Sequence, residues 1–96
     1  RSKSLEKYFG NAAHSLSKLK VVKDIRNFGL VAGIELAERQ TDPKTLGRDV
    51  YEECFNNGLM VRFTGNTIAI SPPLIITKKQ IDKVFSTLTH AIKKVF

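Results

Sequence analysis

The side chains of this 96-residue sequence that we consider first as candidates for chemistry are Cys54, Arg62, His14 and His90. A thiolate can act as a nucleophile and an imidazole as a base or metal ligand, whereas a guanidinium binds a carboxylate or phosphate through two parallel hydrogen bonds. One cysteine and two histidines far apart in sequence do not form a zinc site, so we expect no metal. A single cysteine also excludes an intrachain disulfide and favours a reducing, cytoplasmic setting.

Cys54 follows the apolar stripe of a predicted helix. Leu46, Val50 and Cys54 recur at i, i+4 and i+8, which is the spacing of one helix face. Because no histidine lies near Cys54 in sequence and free cysteines are among the most buried residues, a buried structural thiol is a better interpretation than a nucleophile.

Arg62 lies in a predicted β-hairpin. Segments 59–63 and 67–71 flank Gly65-Asn66, and a two-residue turn of this type is a strong hairpin signal. The turn also sets the register of the two strands. The facing pairs that result are Thr64 with Thr67, Phe63 with Ile68, Arg62 with Ala69, and Val61 with Ile70.

The two faces of this hairpin differ, because side chains alternate across a sheet. The apolar face, which we expect to bury against helices, contains Val61, Phe63, Ile68 and Ile70. Arg62 shares the other face with Met60, Ala69 and Ser71. One interpretation of Arg62 is a solvated surface arginine. The other is an anion-binding arginine, which gains support because Met60 and Ala69 stand where a solvated face would carry charges and a guanidinium suits a carboxylate or phosphate. The residues alone leave both interpretations open.

Apolar spacing and end signals predict the remaining elements. In chain order these are a helix over residues 3–18, a hairpin of strands 21–26 and 30–36 around Asn27-Phe28-Gly29, a helix from Asp42-Pro43 to Asn56-Asn57-Gly58, the Arg62 hairpin ended by Pro72-Pro73, and a last helix opened by the capping box of Thr77 and Gln80. We therefore expect one α+β domain over residues 1–96, with a small antiparallel-rich sheet of about four strands and three helices.

The formal net charge of +7 raises the question of nucleic acid. The lysines concentrate near the start of the chain and on the last helix, where outward-facing lysines are usually solvated. No pair of aromatic residues is predicted on an exposed strand face, where it could stack on bases. A basic nucleic-acid-binding module is therefore the weaker alternative. No apolar run approaches the roughly 20 residues that cross a bilayer, so no membrane partner is expected.

Several segments of the sequence resemble a known family. In chain order they are IRNFGLVAGIEL (25–36), GLMVR (58–62), Gly65-Asn66, ISPPL (70–74) and Ile81-Asp82. The first is similar to the family pattern I-R-x-x-G-L-x-x-G-I-E-L, and order and spacing are kept along essentially the whole chain. The sequence resembles the C-terminal domain of class III pyridoxal-phosphate-dependent aminotransferases, most of all the ω-amino acid (β-alanine)–pyruvate branch.

The resemblance implies a fold-type I enzyme whose pyridoxal 5'-phosphate is bound mainly by a separate large domain and across a dimer interface. It places the Schiff-base lysine and the other cofactor groups in that large domain, so no catalytic or cofactor-binding residue is expected here. Arg62 matches the arginine that binds the substrate α-carboxylate. Gly29 and Gly33 match family glycines, which we interpret as backbone-packing positions, and Asn66 stands where many relatives carry Asp.

The N-terminus at Arg1 lies close to a predicted helix and has no initiator Met. With the resemblance, this start indicates the C-terminal fragment of a larger, cytoplasmic aminotransferase, a homodimer or dimer of dimers. Such an enzyme would move an amino group from an ω-amino acid or amine to pyruvate, and we expect the fragment alone to be inactive. A free-standing regulatory domain that binds an anion or carboxylate on the Arg62 face stays open as an alternative.

Overall fold

The sheet of the molecule is built from two hairpins that lie side by side. A computed structural model of the chain describes residues 3–37, 46–71 and 77–96. The elements are α1 (Lys3–His14), a 3-10 helix (Ser15–Lys18), β1 (Val22–Phe28), β2 (Val31–Leu36), α2 (Leu46–Asn56), β3 (Arg62–Thr64), β4 (Thr67–Ile70) and α3 (Lys78–Val95). All strand pairs are antiparallel, in the order β1-β2-β4-β3. The predicted α+β fold is confirmed. Asp42-Pro43 and Pro72-Pro73 lie outside the described residues.

The first hairpin is confirmed, with its turn one to two residues later than predicted. Strand β1 runs through Phe28, which pairs with Val31, and Gly29 adopts a positive φ of 59° that L-residues with a side chain rarely adopt. A side chain at Gly29 would meet no described atom within 4 Å. Gly29 therefore serves the turn conformation rather than the backbone packing that we expected. Gly33 is not tightly packed either, since its added Cβ would lie 3.9 Å from Thr67 Cγ2.

One face of the sheet is buried under the helices. The sheet residues that it contributes to the core are Ile25, Ala32, Ile34, Leu36, Ile68 and Ile70. Helix α1 contacts β1 and β2, α2 contacts β3 and β4, and α3 packs against both of these helices. The T-shaped ring pair of Phe9 and Phe85, with centroids 5.1 Å apart, joins α1 to α3. The sheet thus has one face buried under the helices, while its other face is covered by no helix of the described residues.

The predicted register of the second hairpin is confirmed, but one of its apolar residues is less buried than expected. Arg62 pairs with Ala69, Phe63 with Ile68, and Thr64 with Thr67. Val61, Ile68 and Ile70 are buried as predicted, whereas Phe63 remains 39% exposed. The reason is its place on β3, a three-residue strand at the edge of the described sheet. Tyr51 of α2 packs against the ring, and no further strand lies beyond it in the described residues.

Helix α3 begins at the predicted capping box. The Gln80 backbone N–H donates to Thr77 Oγ1 at 3.1 Å, and the Thr77 backbone N–H donates to Gln80 Oε1 at 2.8 Å. These two bonds satisfy N–H groups that have no partner within the helix itself. The box thereby fixes the start of α3, the helix that packs against both α1 and α2.

Replacing Thr77 by alanine removes the hydroxyl that accepts from Gln80. We expect a loss of about 1 kcal/mol of stability, the usual cost of removing an N-cap side chain, measured as the change in unfolding free energy in urea. Ser86→Ala is the matched control, since this exposed hydroxyl on the same helix only bonds back to the Lys83 carbonyl and alanine favours the helix. Equal losses in the two variants would contradict the capping role.

Candidate functional site

The uncovered face of the sheet carries a row of four residues that includes Arg62. Arg26 on β1 pairs with Gly33 on β2, Gly33 with Ala69 on β4, and Ala69 with Arg62 on β3. With about 4.8 Å between neighbouring strands, the two arginine backbones stand about 14 Å apart on the two edge strands. Only a hydrogen and a methyl group lie between them, so the row forms a shallow strip that is cationic at both ends.

The two arginines differ in their partners. Arg26 Nε donates to Asp24 Oδ2 at 3.0 Å, and this bond lowers the pKa of the Asp24 carboxyl below its usual value. Arg62 is exposed, and no carboxylate in the described part of the chain forms an ion pair with it. Within those residues, Arg62 is therefore the member of the row that is available to an outside anion.

The sequence predicts Met60 on the same face as Arg62, but the structure differs. Met60 precedes β3, and its sulfur accepts a hydrogen bond from the Tyr51 hydroxyl of α2 at 3.9 Å, which turns the end of the side chain towards the helices. The Tyr51 ring also lies 5.5 Å from the Phe63 ring. Tyr51 thus contacts residues on both sides of Arg62 along the chain.

Cys54 is a buried thiol and not a nucleophile. It is fully buried in the core, and burial, with a smaller contribution from the Glu53 charge, raises its pKa from 9.0 to about 11. The thiolate that a nucleophile needs is therefore scarce at neutral pH. Of the two histidines, His14 lies 2.8 Å from Asn27 through Nε2 and Oδ1 and links α1 to β1. The interpretation of Cys54 as a structural residue is confirmed.

The sequence and the fold of this chain both match known proteins. Residues 1–92 match the family Aminotransferase class-III. This chain belongs to the class-III aminotransferase family. The resemblance found in the sequence, including its ω-amino acid–pyruvate branch, is confirmed.

Three relatives show how far the likeness extends. The class-III chain is 45% identical over 95 residues to an omega-aminotransferase of Caulobacter vibrioides, spanning 99% of this chain and 22% of that protein. It is 30% identical over 92 residues to a beta-alanine–pyruvate aminotransferase of Pseudomonas aeruginosa, spanning 96% and 20%. The solved adenosylmethionine-8-amino-7-oxononanoate aminotransferase of Methanocaldococcus jannaschii matches at TM-score 0.85 and 32% identity, spanning 96% and 22%. The chain thus spans about a fifth of the length of its relatives.

A second polar cluster on this class-III aminotransferase chain is internally paired. The Tyr8 hydroxyl of α1 donates to Asp82 Oδ1 of α3 at 2.6 Å, which raises the pKa of Tyr8 above its usual value. Lys78 Nζ lies 5.3 Å from the centre of the Tyr8 ring. These contacts tie the two helices together. In the described ranges no three side chains among His, Cys, Asp and Glu are grouped to hold a metal ion, and no described helix is long and apolar enough to cross a membrane.

Two residues beside Arg62 were not singled out from the sequence. They are Tyr51 and Gly47 of α2. Gly47 is buried against the backbone of the Gly65 turn. The available signal was a glycine inside a predicted helix, because glycine disfavours helices and its presence suggests a close approach. Arg26 belongs to the family-like segment 25–36, but its place in one row with Arg62 follows only from the pairing of β2 with β4.

The burial of Cys54 predicts that its thiol reacts only when the protein opens. We expect the Cys54 peptide to stay unmodified by iodoacetamide at pH 8 in the folded protein and to be labelled in urea, as measured by mass spectrometry. Because the thiol ionises near pH 9.0 when unfolded and near 11 when folded, its contribution to stability is complete below pH 9 and is lost as the pH rises to about 11. Cys54→Ala should remove that part of the decline. Rapid labelling of the folded protein would show that the thiol is accessible.

Proposed function

We propose that this chain is the C-terminal substrate-binding domain of a pyridoxal-phosphate-dependent transaminase that moves an amino group from an ω-amino acid or amine to pyruvate. The observation that supports this most is Arg62, exposed on the uncovered sheet face and without a carboxylate partner among the described residues. The relatives of this chain include an omega-aminotransferase and a beta-alanine–pyruvate aminotransferase. Residues 1–96 then form one domain of a longer protein.

Arg62 binds the substrate carboxylate in this proposal. Its planar guanidinium donates two parallel hydrogen bonds to the two oxygens, a geometry that a lysine ammonium cannot reproduce. Ala69, its partner across the strand pair, has only a methyl group and leaves room for the substrate beside the guanidinium. A charge-assisted hydrogen bond contributes about 1.5–3 kcal/mol, which corresponds to roughly 10- to 150-fold in affinity. Arg62 therefore selects substrates that carry a carboxylate at this position.

The cofactor lies outside this chain in the proposal. Pyridoxal 5'-phosphate supplies the electron sink for amino transfer, and in fold-type I enzymes a lysine holds it covalently. No lysine of this sequence lies in a matching motif, so the residues present do not fit the cofactor's main site. We assign that site to the rest of the full-length protein, which we propose to be a cytoplasmic homodimer or dimer of dimers.

The alternative functions have less support. A free-standing regulatory domain is not favoured, because the family match runs from residue 1 to residue 92. A nucleic-acid-binding module is opposed by the carboxylates of Asp24 and Glu35, which lie in the row next to the Arg26–Arg62 row and would repel phosphates. The exposed aromatic residue on this face is Phe28, and among the described strand residues it has no aromatic partner across the row.

Removal of the guanidinium in the full-length protein tests the proposed function. For Arg62→Ala we expect kcat/KM for pyruvate and β-alanine to fall roughly 10- to 150-fold, the value of one charge-assisted bond. The half-reaction of an amine without a carboxylate should change far less, and each half-reaction is measured separately by stopped-flow spectroscopy. Arg62→Lys should recover only part of the loss, because it restores charge without the two-pronged geometry.

Arg26→Ala is the matched control for this test. It deletes the same side chain from the same row, but from an arginine already bonded to Asp24. We expect it to leave the preference between carboxylate and amine substrates unchanged. Equal losses for the two substrate classes in Arg62→Ala would refute the assignment.

A further inference from the structure

We propose that Gly47, in the first turn of α2, is a positioning residue for Arg62. Its lack of a side chain lets α2 lie directly on the backbone of the β3–β4 turn, and this contact sets the position of the strand that carries Arg62. The inference rests on the proposed function, in which Arg62 binds the substrate carboxylate. It extends that function from the binding side chain to the helix that aims it.

The contact at Gly47 is made with backbone. A Cβ added at Gly47 would overlap the carbonyl oxygen of Gly65 and would stand 3.2 Å from its carbonyl carbon and 3.1 Å from Phe63 Cδ2. A side-chain end could rotate away, but a carbonyl within a two-residue turn can move only with its hairpin. Any larger residue at position 47 must therefore push α2 and the turn apart.

The turn is also held from its other side. The Leu36 backbone N–H donates to the Asn66 carbonyl at 2.9 Å, so the end of β2 is bonded to the same turn that α2 contacts. Gly65 itself has a positive φ of 57°, a conformation that two-residue hairpin turns use and that glycine adopts without strain. The turn is thus clamped between β2 and α2, and a displacement on the α2 side passes into β3.

A second contact of α2 lies one helical turn beyond Gly47 and reaches the same strand. Tyr51 packs its ring against Phe63 at 5.5 Å and bonds its hydroxyl to Met60 Sδ at 3.9 Å. Gly47 and Tyr51 are spaced i, i+4 and so face the same way. Helix α2 therefore contacts Phe63, which follows Arg62, and Met60, which lies two residues before it. Because β3 has only three residues, it has little length over which to absorb a shift.

The test is a double-mutant cycle in the full-length protein. We expect Gly47→Ala to lower kcat/KM for pyruvate and β-alanine by about tenfold, which is below the roughly 100-fold that a misplacement of about 1 Å can cost. The half-reaction of an amine without a carboxylate should change less than twofold. In an Arg62→Ala background, Gly47→Ala should cause little further loss for the carboxylate substrates, since a residue that acts through Arg62 has no effect once Arg62 is absent.

Gly10→Ala is the matched control. Gly10 is also a buried helix glycine, but its added Cβ would meet the side-chain amide of Asn27 at 2.8 Å. This side chain, unlike a backbone carbonyl, can rotate aside by giving up its bond to His14. Gly10→Ala should leave the substrate preference as it is in the wild type. Should Gly47→Ala fail to fold, Tyr51→Leu replaces it in the same cycle, because it removes the ring that packs on Phe63 while keeping an apolar side chain.

The outcomes separate this inference from the proposed function. A carboxylate-selective loss in Gly47→Ala that disappears in the Arg62→Ala background supports the positioning role. If Arg62→Ala is selective but Gly47→Ala lowers both substrate classes equally, or adds its full effect to Arg62→Ala, Gly47 is merely structural and the proposed function stands. Unchanged kinetics with raised stability in Gly47→Ala would also overturn the inference. If Arg62→Ala lowers both substrate classes equally, the proposed function and the positioning role of Gly47 are both refuted.

Discussion

The register of the β3–β4 hairpin is the constraint on which the rest of the structure depends. With Arg62 opposite Ala69 and Phe63 opposite Ile68, Ile68 and Ile70 complete the core beneath the helices and the guanidinium lies on the other face. A slip of one residue would exchange the faces of the strand. It would expose the isoleucines and bury an unpaired charge, which costs far more than any surface contact returns. The stability of the core and the position of Arg62 therefore depend on the same pairing.

The helices hold this register in place. Helix α2 lies on the turn and on β3, while α3 packs against α2 and α1 and begins at a closed capping box. The described ion pairs lie elsewhere, as in Arg48 with Glu52 on α2 and Lys94 with Glu53 between α3 and α2. The exposed Arg48–Glu52 pair contributes little to stability, and neither pair involves the β3–β4 hairpin. Packing therefore positions Arg62, and its charge is left for an anion from outside the described residues.

Local signals in the sequence predicted much of this fold. The Gly65-Asn66 turn and the Thr77–Gln80 box lie within a few residues of the bonds that they form, so pattern and structure agree there. The pairing of β2 with β4 joins residues more than 30 positions apart and has no local signature. Without it, the row from Arg26 to Arg62 could not be seen. Phe63 and Met60 were misjudged for a related reason, since alternation assigns a face but does not say where the cover ends.

Gly47 shows a further limit of sequence reasoning. A glycine in a helix indicates that something comes close, but only the folded structure identifies the carbonyl of Gly65 as the neighbour. The buried Cys54, by contrast, could be assigned from local sequence, because its apolar neighbours at i−4 and i−8 are on the same element. Prediction succeeds here within an element or a single turn, and it fails where two elements meet.

The most direct measurement is a crystal structure of the full-length protein with a non-reactive carboxylate analogue of its substrate. We expect both carboxylate oxygens to lie about 2.7–2.9 Å from guanidinium nitrogens of Arg62, the distance of charge-assisted pairs. We also expect the Gly65 turn to rest on Gly47 in that complex. An analogue bound through other groups, with Arg62 paired to a carboxylate elsewhere in the protein, would refute the role of Arg62.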